Sequence, residues 1–165
     1  MKKCIPLLLL ALQAGAQPLT PATVVKVSDG DTVRLRTAAG VLRVRLDSID
    51  APEKKQAFGK RSGQNLRELL PAGAKVQLLE LGQDRYHRTL GQIYLPDGSN
   101  VNSLQVRSGY AWVFTRYCRD QAYWMPLQVQ AQQQKRGLWQ DPHAIPPWDF
   151  RHPSIEKLQN SSKKS

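Results

Sequence analysis

From Thr23 to Leu46 the chain offers three short β-prone runs separated by tight turns, and this pattern constrains the fold more than any other feature. Thr23-Val-Val-Lys26 is rich in β-branched residues and enters Ser28-Asp29-Gly30-Asp31, a turn sequence. Thr32-Val-Arg-Leu-Arg36 alternates apolar and polar residues, and Thr37-Ala-Ala-Gly40 turns the chain again. In the run that follows, Leu42, Val44 and Leu46 share one parity while Arg43 and Arg45 share the other. Three consecutive antiparallel strands with one apolar face are predicted.

Further along, Lys75 to Leu81 alternates as a fourth strand. Leu90 to Leu95 reads as a fifth, ended by Pro96-Asp97-Gly98. Between the third and fourth strands the spacing predicts a helix with Phe58, Ser62, Leu66, Leu69 and Leu70 on one face, stopped by Pro71 and Gly73. Val101, Leu104 and Val106 suggest a short helix closed by Gly109, and Arg119 to Lys135 a longer one with Gly137 as its stop. Trp139, Trp148, Phe150 and prolines 142, 146 and 147 read as an irregular segment strapped back over the body. The order of elements predicts an α+β, barrel-rich fold: a five-stranded barrel of the oligonucleotide-binding type with about three helices, not a parallel sheet.

One domain accommodates 165 residues. Residues 1–16 are expected to be a signal peptide, with Lys2 and Lys3, an apolar run from Ile5 to Leu12, and Ala14-Gly15-Ala16 for cleavage near Ala16. The apolar run is far shorter than the ~20 residues a span needs. Residues 17–22 are expected to be a linker, 23–151 the folded domain, and 152–165 a partly disordered, Ser/Lys-rich tail. Export to the periplasm or outside the cell follows. Cys118 is then the one cysteine, which allows no internal disulfide; burial beside Trp112, Phe114 and Tyr117 suits it best. His87, His143 and His152 show no zinc spacing. A formal net charge of +11 points to a polyanionic partner, and no long apolar run favours a membrane.

Three polar motifs carry the chemistry. Asp29-Gly30-Asp31-Thr32 puts Asp31 at a strand start. Arg45 precedes Asp50 and Glu53 at the end of the third strand, where Pro52 cannot donate to a sheet ladder. Asp84-Arg85-Tyr86-His87-Arg88 is a polar turn before the fifth strand. On a flat strand Arg45 and Asp50 face opposite ways, so one shared site requires a bulge or break near Asp47-Ser48. Asp31 and Asp50 offer hard oxygen ligands for a divalent cation of the calcium or magnesium kind. Glu53 is placed to orient or deprotonate a water, and Arg45 and Arg88 present planar forks for phosphate oxygens. Each motif alone also fits a plain turn or a solvated charge; the combination is what points to phosphodiester hydrolysis.

Together Asp-Gly-Asp-Thr, Arg-Leu-Asp-Ser-Ile-Asp-Ala-Pro-Glu, Asp-Arg-Tyr-x-Arg, Val101-Asn-Ser-Leu-Gln-Val-Arg-Ser-Gly-Tyr-Ala-Trp and Arg136-Gly-Leu-Trp139 resemble the staphylococcal (micrococcal) nuclease family, secreted bacterial type, from about Thr23 to Arg151. The resemblance implies a calcium-dependent nuclease acting on DNA and RNA, as a monomer that prefers single strands. It implies one calcium ion held by Asp31, Asp50 and the main-chain carbonyl of Ala51. Arg45 and Arg88 would bind the reacting phosphate, Glu53 would act on the attacking water, and Arg85 and Tyr86 would meet a terminal phosphate. Lys54 and Lys55 would contact flanking phosphates. This chain departs from the namesake in Ala51 for threonine, in His87 at a position often glycine, in Thr115 where a base-stacking tyrosine is expected, and in a shorter loop after Glu53. Stacking then passes to Phe114 or Tyr117, or is weaker.

Two other classes remain open on the sequence. A catalytically silent nucleic-acid-binding barrel explains the charge, as does a basic protein bound to the cell envelope. Neither explains the acidic set Asp31, Asp50 and Glu53.

Overall fold

β-Branched and alternating residues form strands because one face can be buried while the other stays wet. The computed structural model describes residues 17–153. The leader expected over residues 1–16 and residues 154–165 of the tail lie outside the described residues. Strands β1 (Leu19–Val27), β2 (Thr32–Thr37) and β3 (Gly40–Leu46) pair antiparallel in sequence order. A two-residue strand β4 (Ile49–Asp50) and helix α1 (Gly59–Leu69) follow, then the antiparallel pair β5 (Lys75–Gln83) and β6 (Thr89–Tyr94). Strand β5 joins β1 antiparallel and β6 joins β3 in parallel, which closes the barrel in the order β1-β2-β3-β6-β5. Helix α2 (Val101–Arg107), strand β7 (Trp112–Val113), helix α3 (Gln121–Gln133), a 3-10 turn (Gly137–Gln140) and α4 (Pro147–Arg151) complete the described chain. The architecture is the expected α+β, five-stranded barrel with three helices of seven residues or more.

Leu35, Val44, Leu46, Leu78 and Ile93 fill the barrel with no measurable exposure, each stabilising the fold by roughly 1.5–3 kcal/mol. Leu66 and Leu70 from α1 and Val101 and Val106 from α2 extend that core. A bulge between Val24 and Lys26 lets Val24 and Val27, three residues apart, both turn inward. Cys118 is buried and free, and its burial pushes the thiol above its ordinary range. Among the described residues no helix is long and apolar enough to cross a membrane.

Two expectations shift. Strand β1 starts at Leu19, so residues 19–22 are barrel wall paired with β5 and not a linker. Phe58 lies outside α1: it takes a left-handed φ of 63° at the cap, half-buried, with the Arg61 guanidinium 5.3 Å above its ring. The helix face therefore begins at Ser62.

Outside the barrel, Lys26 lies opposite Arg34 on β2, and Arg34 opposite Arg43 on β3. All three are exposed, and β1 to β3 hold no acidic residue. Like charges facing one another across strands repel, so this row favours a polyanion lying over it.

Candidate active site

The corner after β3 assembles the site. Leu46 donates its N–H to the Asp31 carbonyl at 2.8 Å and Asp47 to that of Gly91 at 2.9 Å, after which Ser48 reverses the chain with φ 64°. This is the break that a shared position for Arg45 and Asp50 requires. Buried Asn102 of α2 holds the corner, donating to the carbonyls of Asp47 (3.1 Å) and Gly91 (3.0 Å). Asp50 then pairs with Trp112 in the β4–β7 ladder.

The turn carrying Asp31 is fixed from the other side. Fully buried Gln105 donates to the Gly30 carbonyl at 2.8 Å and accepts from Asn65 of α1. A Cβ on Gly30 would stand 2.0 Å from Ser62 Oγ and 2.7 Å from the Ala51 Cβ, so glycine is what lets this turn touch α1 and the Ala51 segment. A Cβ on Gly59 would meet the Glu53 carbonyl at 1.8 Å, so the start of α1 presses directly on the loop that carries Glu53.

Between these supports, Arg45 is buried and used in four directions. Its Nη1 donates to the carbonyls of Leu46 and Ile49 (2.7 Å for Ile49). Its Nη2 lies 2.9 Å from Asp50 Oδ1 and 3.2 Å from Asp31 Oδ2. The two aspartates therefore converge on one nitrogen. Asp31 Oδ2 also accepts from the Ala51 N–H at 2.8 Å, and Oδ1 from the Thr32 hydroxyl at 3.1 Å. Burial pushes the Asp50 carboxyl above its ordinary range, against the opposing pull of Arg151 and Arg45. Burial and then the charge of Asp31 push the Asp29 carboxyl up likewise.

Arg151 is the residue that the sequence reading did not place here. From the last turn of α4 its Nη2 reaches Asp50 Oδ2 at 2.7 Å, and its Nη1 reaches Glu53 Oε1 at 2.7 Å and Asp50 Oδ1 at 3.4 Å. Burial opposes its charge, but the hydrogen bonds and charges of Asp50 and Glu53 outweigh that and drive its pKa up. Both pKa values rise, which disfavours the charged form of Asp50 but favours that of Arg151. The geometry decides for the ionised pair, because two 2.7 Å contacts hold a guanidinium that does not lose its proton.

The 84–88 turn leads into β6, which pairs with the strand that carries Arg45. Parallel pairing sets Thr89 opposite Val44 and Leu90 opposite Arg45, so Arg88 abuts the strand that carries Arg45. Asp84 organises the turn, accepting from the N–H groups of Tyr86 (2.8 Å) and Arg88 (3.0 Å) and from Arg88 Nε (2.7 Å). Although burial opposes it, these hydrogen bonds hold the Asp84 carboxyl below its usual range. Arg88 is therefore ion-paired with Asp84, not with Asp31 or Asp50. His87 takes φ 58°, the left-handed conformation that glycine favours, at a strain of about 1–2 kcal/mol. Tyr86 is 61% exposed with the Arg85 guanidinium 4.9 Å from its ring centre. Lys54 and Lys55 are exposed in the turn after Glu53.

An aromatic group flanks the other side. Phe114 donates its N–H to the Ser48 carbonyl, stacks on Trp148 at 5.3 Å and 6°, and meets Tyr117 edge-on at 4.8 Å. Tyr117 is 60% exposed, while Thr115 is exposed and accepts from Gln121 through its carbonyl.

Could this corner hold a metal? Among the described residues no three acidic, His or Cys side chains form a metal-holding group. Two carboxylates, Asp31 and Asp50, do converge within reach of one Arg45 nitrogen. Such a pair of hard oxygen donors fits calcium when carbonyl and water oxygens complete the shell.

A closed five-stranded barrel that gathers two aspartates, a glutamate and guanidinium groups at one corner defines the class: an oligonucleotide-binding-type barrel with a charged corner. Residues 43–141 match the family model described as Staphylococcal nuclease homologue. The chain is 45% identical over 157 residues to an "Uncharacterized endonuclease" of Escherichia coli O157:H7, covering 92% of this chain and 99% of that protein. It is 39% identical to a "Micrococcal nuclease" of Shigella flexneri over 79% of this chain and 80% of that one. A "Staphylococcal-like nuclease CAN1" of Arabidopsis thaliana shares 32% identity over 66% of this chain and 33% of its own length. The chain belongs to the staphylococcal nuclease family.

Proposed function

We propose that the chain is an exported, calcium-dependent nuclease that hydrolyses phosphodiester bonds of DNA and RNA. The observation that carries this reading is the convergence of buried Asp31 and Asp50 on one Arg45 nitrogen, with Glu53 beside them. Membership of the family and the names of the relatives support it. The exposed cations Lys26, Arg34 and Arg43, facing one another across β1 to β3, support a polyanionic substrate.

Asp31, Asp50 and the Ala51 carbonyl would hold the ion. Calcium, when bound, supplies concentrated positive charge that polarises a phosphate oxygen and lowers the pKa of water. Glu53 would take the proton of the attacking water onto a carboxylate oxygen. Arg88, with Nε fixed by Asp84, would direct its terminal nitrogens at the non-bridging oxygens as their charge grows. Arg45 would act from beneath: Nη1 is committed to two carbonyls and Nη2 to the aspartates. Lys54 and Lys55 would meet flanking phosphates, Arg85 and Tyr86 a terminal one, and Tyr117 against Phe114 an unpaired base.

A second reading has its own observation. Both oxygens of Asp50 are paired with guanidiniums, as in a structural ion-pair network of a silent binding module. Incubating the purified chain with single- and double-stranded DNA and RNA, in calcium or in chelator, separates the two. Calcium-dependent shortening of any of the four supports the nuclease. Retention on the polyanion without cleavage supports the binder.

A further inference from the structure

The C-terminal strap reaches the acidic cluster from a great distance in sequence: Arg151 lies 101 residues beyond Asp50 and 98 beyond Glu53. Besides Arg151 itself, contacts of Gln56 and of Trp148 hold the strap in place. Gln56 Nε2 donates to the Ile145 carbonyl at 2.6 Å, Trp148 stacks flat on Phe114, and Trp148 meets Trp112 edge-on at 5.9 Å. Trp112 is the ladder partner of Asp50, so the strap leans on the element that presents this carboxylate.

Asp50 Oδ1 is taken by Arg45 and Oδ2 by Arg151. Direct contact between Asp50 and a metal ion needs one of these guanidiniums to withdraw. Arg45 is unsuited to leave, because it is 11% exposed and bound to the Leu46 and Ile49 carbonyls. Arg151 is 35% exposed, and among the described residues its guanidinium hydrogen-bonds to the carboxylates of Asp50 and Glu53. It also covers Glu53, the expected proton acceptor.

We propose that Arg151 is a tethered competitor for the divalent cation: it binds Asp50 and Glu53 in the metal-free chain and is displaced from Asp50 when the ion binds. This rests on the calcium reading above. Departure of one side chain then both opens the metal ligand and exposes the proton acceptor. Charge supports the exchange. Asp31, Asp50 and Glu53 carry three negative charges against two guanidiniums, so the incoming ion replaces a monovalent partner by a divalent one.

The test measures calcium binding directly, without nucleic acid, by titration calorimetry on wild type, Arg151→Gln and Arg151→Lys. Melting in chelator confirms that each is folded. Amide exchange of residues 145–151 is followed in the same samples. Arg151→Gln should bind calcium about tenfold more tightly, a moderate value because the pair is part-exposed. Arg151→Lys, with charge but no fork, should fall between. Calcium should speed exchange over 145–151 in wild type and have little effect in Arg151→Gln. Equal or weaker calcium binding by Arg151→Gln, with exchange in the strap indifferent to calcium, would make Arg151 a plain tether and overturn the proposal. If neither wild type nor Arg151→Gln binds calcium, the calcium reading itself fails, and this proposal with it.

Discussion

Arg45→Lys should uncouple charge from geometry at the centre of the site. The guanidinium bridges two backbone carbonyls on one side and two carboxylates on the other. A lysine ammonium keeps the charge but is a single point, and cannot span both sides from one stem. At least two charge-assisted hydrogen bonds are lost, each contributing roughly 1.5–3 kcal/mol, and two buried carboxylates lose part of their partner. The expected loss is about 3–5 kcal/mol, a large share of the roughly 5–15 kcal/mol that stabilises a domain. Urea unfolding in chelator, followed by circular dichroism, should show the midpoint falling by about 2 M at an unchanged slope. Calcium should recover part of the difference, because the ion would then neutralise Asp31 and Asp50. Arg45→Met, which removes the charge as well, should be less stable than Arg45→Lys. A midpoint for Arg45→Lys within about 0.3 M of wild type would refute the idea that this side chain holds the corner together.

Arg88→Lys should lower turnover by roughly 10²–10³-fold while single-strand affinity changes little, since only the charge-developing state needs the fork; wild-type turnover would remove Arg88 from the catalytic set. The Asp84 carboxyl is held below its ordinary value, so its contribution to the 84–88 turn is present above about pH 4 and is lost as pH falls through the lowered folded value. Exchange of the Tyr86 and Arg88 amides should rise over that acid window in wild type, and be fast at all pH in Asp84→Ala. Replacing Lys26, Arg34 and Arg43 together by glutamine should flatten the log–log salt dependence of single-strand binding, by about 0.7 for each phosphate contact removed. An unchanged slope would leave that row merely solvated.

The barrel was legible because its strands announce themselves by period and its turns by glycine and aspartate. The meeting of Arg45 and Asp50 at one corner was legible for a sharper reason. Their parity conflict demanded a chain reversal between them, and Ser48 supplies it with φ 64°. Other features left no local trace. Pro21 masks the start of β1, since proline argues against a strand, although it sits opposite Gln77 in the ladder. Phe58 fits the helical period, but its left-handed backbone caps the N-terminus and has not yet entered the helix. The two-residue β4–β7 pairing is too short to show any period. Arg151 was invisible as a site residue because an ion pair spanning 101 residues has no sequence signature. The tryptophans and prolines around it foretold a strap but not its destination.

Catalysis by the acidic set, as opposed to mere binding, is tested most directly by Glu53→Gln. Glutamine keeps the size of the side chain and an oxygen that can accept from Arg151, but it is not a useful base. Turnover and affinity for the same single-stranded DNA are measured in calcium for wild type and variant. Turnover should fall by roughly 10²–10⁴-fold, the range for loss of one general base, with affinity within a few-fold of wild type. Equal turnover in the two proteins would contradict the account, because the proton of the attacking water would then have another acceptor.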